Sequence, residues 1–213
     1  ATHVSDIGRI THGCAGLYET HAEWAELLAA QGFASLRIDS FTPRDIEEIC
    51  TDILRPIPRA ADVNGAIVFL QGRPQIDSTR IAVMGWSHGA GVTLQIAAEP
   101  GSLRGDLKSA VKGAVALYPY CSRTSQAYRT PLLVLVGDAD DWTPASICSD
   151  MVAALPPSSA PVELAVYPGA THSFDCRACD GEYWGHHLVH DEAAHTDAIA
   201  RVEAFLAATL GTP

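Results

Sequence analysis

Short runs of Val, Ile, Leu and Ala alternate along the chain with longer stretches in which apolar residues recur every third or fourth position. The short runs are Ala34–Ile38, Arg80–Met84, Val111–Leu117, Leu132–Val136 and Val162–Tyr167. Each is mostly continuous in apolar character, the pattern of a strand covered on both faces. Ala22–Gln31, Ala60–Gly72, Gly89–Ala98, Ala145–Ala154 and Asp191–Leu210 read as helices. In the last of these, Ala194, Ala198, Val202, Phe205 and Leu206 fall on one stripe. Such alternation predicts an α/β architecture with a parallel sheet and right-handed crossovers. Pro156-Pro157-Ser158-Ser159 is the strongest break and reads as a helix-to-strand loop, not a linker. No repeat or low-complexity stretch interrupts the pattern, so residues 1–213 are expected to form a single domain.

Composition narrows the functional classes. With 47% hydrophobic residues spread evenly, the chain is not a disordered one. No run approaches the roughly 20 apolar residues of a membrane span. A net charge of −11 opposes phosphate backbones and anionic lipid, so neither nucleic acid nor a membrane is an expected partner. The start of the chain shows no charged segment followed by an apolar one, the mark of a secretory leader. Six cysteines permit three bridges in an oxidising compartment, which slightly favours a secreted or periplasmic setting over the cytoplasm. Cys176-Arg-Ala-Cys179 is a CxxC, open to a local bridge, a redox pair or half of a zinc site.

The strongest chemical signal is Gly85-Trp86-Ser87-His88-Gly89, which fits G-x-S-x-G. It follows a predicted strand and opens a predicted helix, the context in which a serine sits on a strained turn above the sheet edge. The helix N-terminus behind it offers N–H groups and positive potential to an anion. A serine hydroxyl needs a base and a group to orient that base. In hydrolases built on such a turn the chain order is Ser, then Asp or Glu, then His. The strand Leu132–Val136 runs into Gly137-Asp138-Ala139-Asp140-Asp141-Trp142-Thr143-Pro144, offering three carboxylates at a strand end. The strand Val162–Tyr167 runs into a loop carrying His172, the expected base. For the oxyanion, one N–H is expected from His88 and another from His12-Gly13-Cys14-Ala15-Gly16, with the Cys14 amide preferred and Ala15 the near alternative.

Taken in order, HGCAG (12–16), RIDSFTPR (37–44), GWSHG (85–89), GDADDWTP (137–144) and YPGATHSF (167–174) resemble the dienelactone hydrolase family. The likeness runs from His12 to the C-terminus. It implies an α/β-hydrolase fold: a mostly parallel sheet of about six strands flanked by helices, without a separate lid domain. In the family the acid is the aspartate four residues before the proline, which selects Asp140 over Asp138 and Asp141. The resemblance implies no cofactor or metal. Two departures stand out. Members that open dienelactones carry a cysteine nucleophile where this chain has Ser87, which points to a more general esterase. The family normally has two further strands before the His-Gly loop, and eleven residues precede His12 here; a sheet simply shortened by those strands is expected to leave Ala34–Ile38 as an exposed edge. Such an edge invites pairing with a second copy, making a homodimer an expectation.

The leading expectation is hydrolysis of a small or accessible ester or lactone by Ser87, His172 and Asp140, with His88 and Cys14 amides holding the oxyanion. Trp86, Trp142, Tyr18 and Tyr120 adjoin the motifs and are candidate pocket walls, although core packing is the more common role for any one such aromatic. Arg37, Arg44, Arg123 and Arg129 are candidate partners for a substrate carboxylate, set against a solvated or ion-paired role. Two other classes compete. One is a binding protein on a retired hydrolase scaffold. The other is a metal site built from Cys176, Cys179, His186, His187 and His190.

Overall fold

The computed structural model describes residues 18–46, 49, 58–98, 110–122 and 127–211, with Tyr18 described by its backbone alone. Four strands form a parallel sheet: β1 Ile81–Trp86, β2 Val111–Leu117, β3 Leu132–Gly137 and β4 Val162–Tyr167. Their order in the sheet is their order in the chain. The helices are α1 Tyr18–Ala30, α2 Arg59–Gln71, α3 His88–Ala98, α4 Ala145–Ala153 and α5 Glu192–Leu210. Helix α3 packs on β1 and β2, α4 on β4, and α5 crosses β1 to β3.

Burial follows the apolar pattern. Every residue of β3 is buried, as a central strand covered on both faces requires. In β4, at the sheet's edge, Ala165 and Tyr167 are buried while Glu163 and Val166 face outward. The α5 stripe is buried at Ala194, Ala198, Val202, Leu206 and Leu210, a spacing of four that lays one face on the sheet. Asp191 caps this helix, its carboxylate accepting from the amides of Ala193 and Ala194 at 3.0 and 2.9 Å.

Two expectations are corrected. The sheet has four parallel strands among the described residues, not about six. Of the two others expected, the one before His12 lies outside the described residues, and Ala34–Ile38 runs without strand pairing. Its residues and those of β1 line one cavity of about 500 Å³, so the two backbones do not close to the roughly 4.8 Å that a ladder needs. Among the described residues β1 is therefore the edge strand on this side of the sheet, and an edge at Ala34–Ile38 gives no reason for a dimer. The second correction is an addition. A short antiparallel hairpin, β5 Gly181–Tyr183 and β6 His186–Leu188, stands between β4 and α5. Its two-residue turn, Trp184-Gly185, has φ of 51° and 84°, and glycine supplies only the second of these without strain.

Candidate active site

The loops leaving β1, β3 and β4 meet above one end of the sheet, the end at which open α/β sheets bind ligands. Ser87 follows β1 directly and takes a left-handed backbone, φ 49°. Its amide donates to the Leu117 carbonyl at 3.0 Å, and its carbonyl accepts from Gly91 N–H at 3.2 Å. The turn is tight because Gly85 lies against Gly89: a Cβ on Gly85 would stand 2.3 Å from the Gly89 carbonyl oxygen. That contact explains the first glycine of the motif. A Cβ at Gly89 would meet only the Arg59 guanidinium at ordinary distance.

Gly137, where β3 ends, makes a second close approach. A Cβ there would fall 1.9 Å from the Ala170 carbonyl oxygen, so only glycine lets the loop after β4 cross the end of β3. The crossing brings His172 to Asp140. His172 Nδ1 lies 2.8 Å from Asp140 Oδ2, and His172 Nε2 lies 2.8 Å from Ser87 Oγ. Both His172 and Asp140 are buried. Asp140 Oδ1 accepts from the amides of Trp142 and Thr143 at 2.9 and 2.7 Å, while the Thr143 hydroxyl bonds Oδ2 at 2.8 Å. Every acceptor position of the carboxylate is thus in use.

The neighbouring carboxylates are employed elsewhere. Asp138 accepts from the Gly169 amide at 2.6 Å, and Asp141 lies 3.0 Å from His186 Nδ1. His88 opens α3, so its backbone N–H has no partner within the helix. Its ring Nδ1 lies 2.7 Å from Arg59. Burial and the Arg59 charge pull this imidazole down to about 4, which keeps it neutral and an acceptor. Burial also lowers Arg59 to about 10, still charged at neutral pH.

The aromatic candidates separate. Trp142 lies beside His172, ring centroids 5.1 Å apart, and also stacks on His186 at 4.4 Å and 12°. Trp86 points inward, its ring beside His21 and Trp24 and its N–H on Asp175. Tyr120 is 67% exposed. The Tyr18 side chain, Cys14 and Arg123 lie outside the described residues, so the second oxyanion donor is not located. Arg44 is paired with Asp62 at 2.7 Å, whereas Arg37 and Arg129 are exposed.

Cys176 and Cys179 are bonded to each other, which removes the two thiolates a zinc site would need. Their expected partners also diverge: His186 faces Asp141, His187 faces Glu182 and His190 faces His195. A second disulfide, Cys121–Cys148, ties the segment after β2 to α4.

Sequence reasoning passed over Tyr118 and Asp175. The Tyr118 ring stands edge-on to His172 at 4.7 Å. Asp175 accepts hydrogen bonds from Trp24, Trp86 and Tyr118. The available signal was a carboxylate three residues beyond the base, in a segment otherwise apolar enough to be buried.

Cutinase 2 of Thermobifida cellulosilytica is 32% identical over 142 residues, covering 63% of this chain and 48% of the cutinase. The chain thus spans about half the length of that relative. Among solved structures, a dienelactone hydrolase-like promiscuous phosphotriesterase from metagenomic libraries superposes with a TM-score of 0.69 at 16% identity, covering 95% of this chain and 85% of that one. An α/β hydrolase enzyme from a Medee basin deep-sea metagenome gives 0.62 at 18% identity, covering 94% and 84%. These two share the fold. The model of the dienelactone hydrolase family matches residues 10–210, and this chain belongs to that family.

Proposed function

We propose that the chain is a serine hydrolase that cleaves carboxylic esters or lactones through an acyl-enzyme. The observation that carries this reading is the continuous hydrogen-bonded line from Ser87 Oγ through His172 to Asp140, with both links at 2.8 Å. Ser87 Oγ attacks the ester carbonyl while His172 Nε2 takes its proton. The tetrahedral oxyanion is held by the His88 N–H and a second donor assigned to the Cys14 amide. Collapse breaks the bond to the alcohol oxygen, which receives the proton from His172. Water then repeats the sequence on the acyl-enzyme, releasing the acid and restoring Ser87. Asp140 holds the imidazole in the tautomer with hydrogen on Nδ1 and stabilises the imidazolium. The left-handed Ser87 and the start of α3 supply the exposed hydroxyl and the positive end of the helix.

Family membership and the match to a protein named cutinase support ester chemistry over other acyl transfers. With Trp142 and His186 stacked beside His172, the accessible wall is aromatic, which suits a small or exposed ester. The two disulfides favour an oxidising compartment. No helix among the described residues is long and apolar enough to cross a membrane.

A fluorophosphonate probe followed by peptide mapping tests the proposal. A stoichiometric adduct on Ser87, absent in Ser87→Ala, and hydrolysis of short p-nitrophenyl esters are expected. Folded protein that takes no adduct and cleaves no ester in a short-chain panel would refute it, and would favour a binding role on the same scaffold.

A further inference from the structure

Asp175 lies three residues beyond His172 and is fully buried. Its Oδ2 accepts from the indole N–H of Trp24 at 2.7 Å and of Trp86 at 3.0 Å, and its Oδ1 accepts from the Tyr118 hydroxyl at 2.9 Å. Among the described residues all three donors are neutral. They come from α1, from the last residue of β1 and from the residue after β2. A buried carboxylate is costly to desolvate, and packing alone would be served better by an apolar side chain. A function that uses the charge or its rigid geometry accounts for its presence.

Each donor but one leads to the reacting groups. Trp86 is the residue before Ser87 and pairs through β1 with Leu117. Tyr118 carries the ring that meets His172 edge-on at 4.7 Å. Its backbone is left-handed, φ 40°, and Ser173 beside His172 is left-handed too, φ 58°. The backbone on both sides of this junction is therefore held away from its relaxed conformation. The Asp175 bonds span the gap.

We propose that Asp175 is a positioning residue: it ties the loop that carries His172 to the strand ends that carry Ser87, and so fixes the distance and angle at which the imidazole meets the serine hydroxyl. This rests on the hydrolase reading above.

The test uses Asp175→Asn, which keeps the shape, and Tyr118→Phe, which keeps the ring on His172 and deletes only the hydroxyl. For hydrolysis of p-nitrophenyl acetate, Asp175→Asn should lower kcat about tenfold with KM within about twofold, as a small misplacement of a base does. Tyr118→Phe should lower kcat by about threefold, again with KM nearly unchanged. A purely structural role would lower Tm and leave the kcat of the folded fraction unchanged, and that result overturns the inference. If Asp175→Asn does not fold, Tyr118→Phe decides by the same criterion. Wild-type protein that takes no fluorophosphonate adduct overturns the hydrolase reading and this inference with it. Labelled wild type with unchanged variants overturns this inference alone.

Discussion

In an Asp140→Asn variant, the surrounding donors decide which way the new amide turns. Two of them are backbone N–H groups, of Trp142 and Thr143, 2.9 and 2.7 Å from Oδ1. They cannot become acceptors, so the amide oxygen must take the Oδ1 position. The NH2 then faces His172 Nδ1 at the 2.8 Å now occupied by Oδ2, and the Thr143 hydroxyl. Thr143 adjusts by rotating its proton to the Tyr118 carbonyl, 3.2 Å away. His172 adjusts only by accepting at Nδ1, which moves its proton to Nε2. That nitrogen is 2.8 Å from Ser87 Oγ and is no longer a base. The expected loss in kcat is about 10⁴-fold, roughly 5.5 kcal/mol of barrier, at unchanged fold. Saturating p-nitrophenyl acetate at neutral pH measures it, with circular dichroism and Tm as controls. An Asp140→Ala variant leaves the tautomer free, so it should be no slower than the Asn variant. A folded Asn variant within about 30-fold of wild type would refute the reasoning, because a wrong tautomer cannot sustain that rate.

Other expectations follow from the same coordinates. Gly137→Ala puts a methyl group 1.9 Å from the Ala170 carbonyl oxygen, so urea titration should show a loss of about 3 kcal/mol, and ester hydrolysis should fall as the His172 loop is pushed off β3. Removing Cys121–Cys148, which closes a separation of 27 residues, should cost about 3.6 kcal/mol, or roughly 7–14 °C in Tm. Removing Cys176–Cys179, at a separation of 3, should cost about 1.6 kcal/mol; equal Tm losses in the two double-alanine variants would contradict the loop-entropy account. His88 is held at about 4 in the fold, so the unfolded chain binds the extra proton, and stability present above pH 6.5 is lost as pH falls toward 4. Partial exposure of the ring discounts the effect to roughly 1–2 kcal/mol. The urea midpoint of His88→Asn, which keeps an acceptor toward Arg59, should vary less across that window than wild type.

The parts legible in the sequence were those governed by local pattern. Continuous apolar runs located β1 to β4, and the stripe of α5 was readable residue by residue. Ser87 and His172 stood out through their places after strands. The choice of Asp140 came from family resemblance, since three carboxylates shared the segment and only the crossing at Gly137 determines which one meets the base. Ala34–Ile38 was misread because its apolar pattern suits a strand, whereas pairing depends on the distance to a neighbour. The hairpin was missed for want of the usual Asn-Gly signal, its turn being Trp184-Gly185. Asp175 was invisible for a different reason: its three donors lie 151, 89 and 57 residues away in the chain.

Because the strands join the sheet in the order in which they occur in the chain, each can dock on an edge already made by the one before it. A ribosome delivers them in that order, N-terminal first. Ser87 and His172 are 85 residues apart, so the nucleophile emerges long before its base. On the proposed mechanism the serine is an ordinary alcohol throughout that interval. Its activation waits for the fourth strand of the sheet, after which the chain crosses Gly137 and brings His172 to Ser87. A nascent chain would thereby be spared acylation while half-made, and a chain truncated before β4 is expected to be inert toward a probe that labels Ser87 in the folded protein.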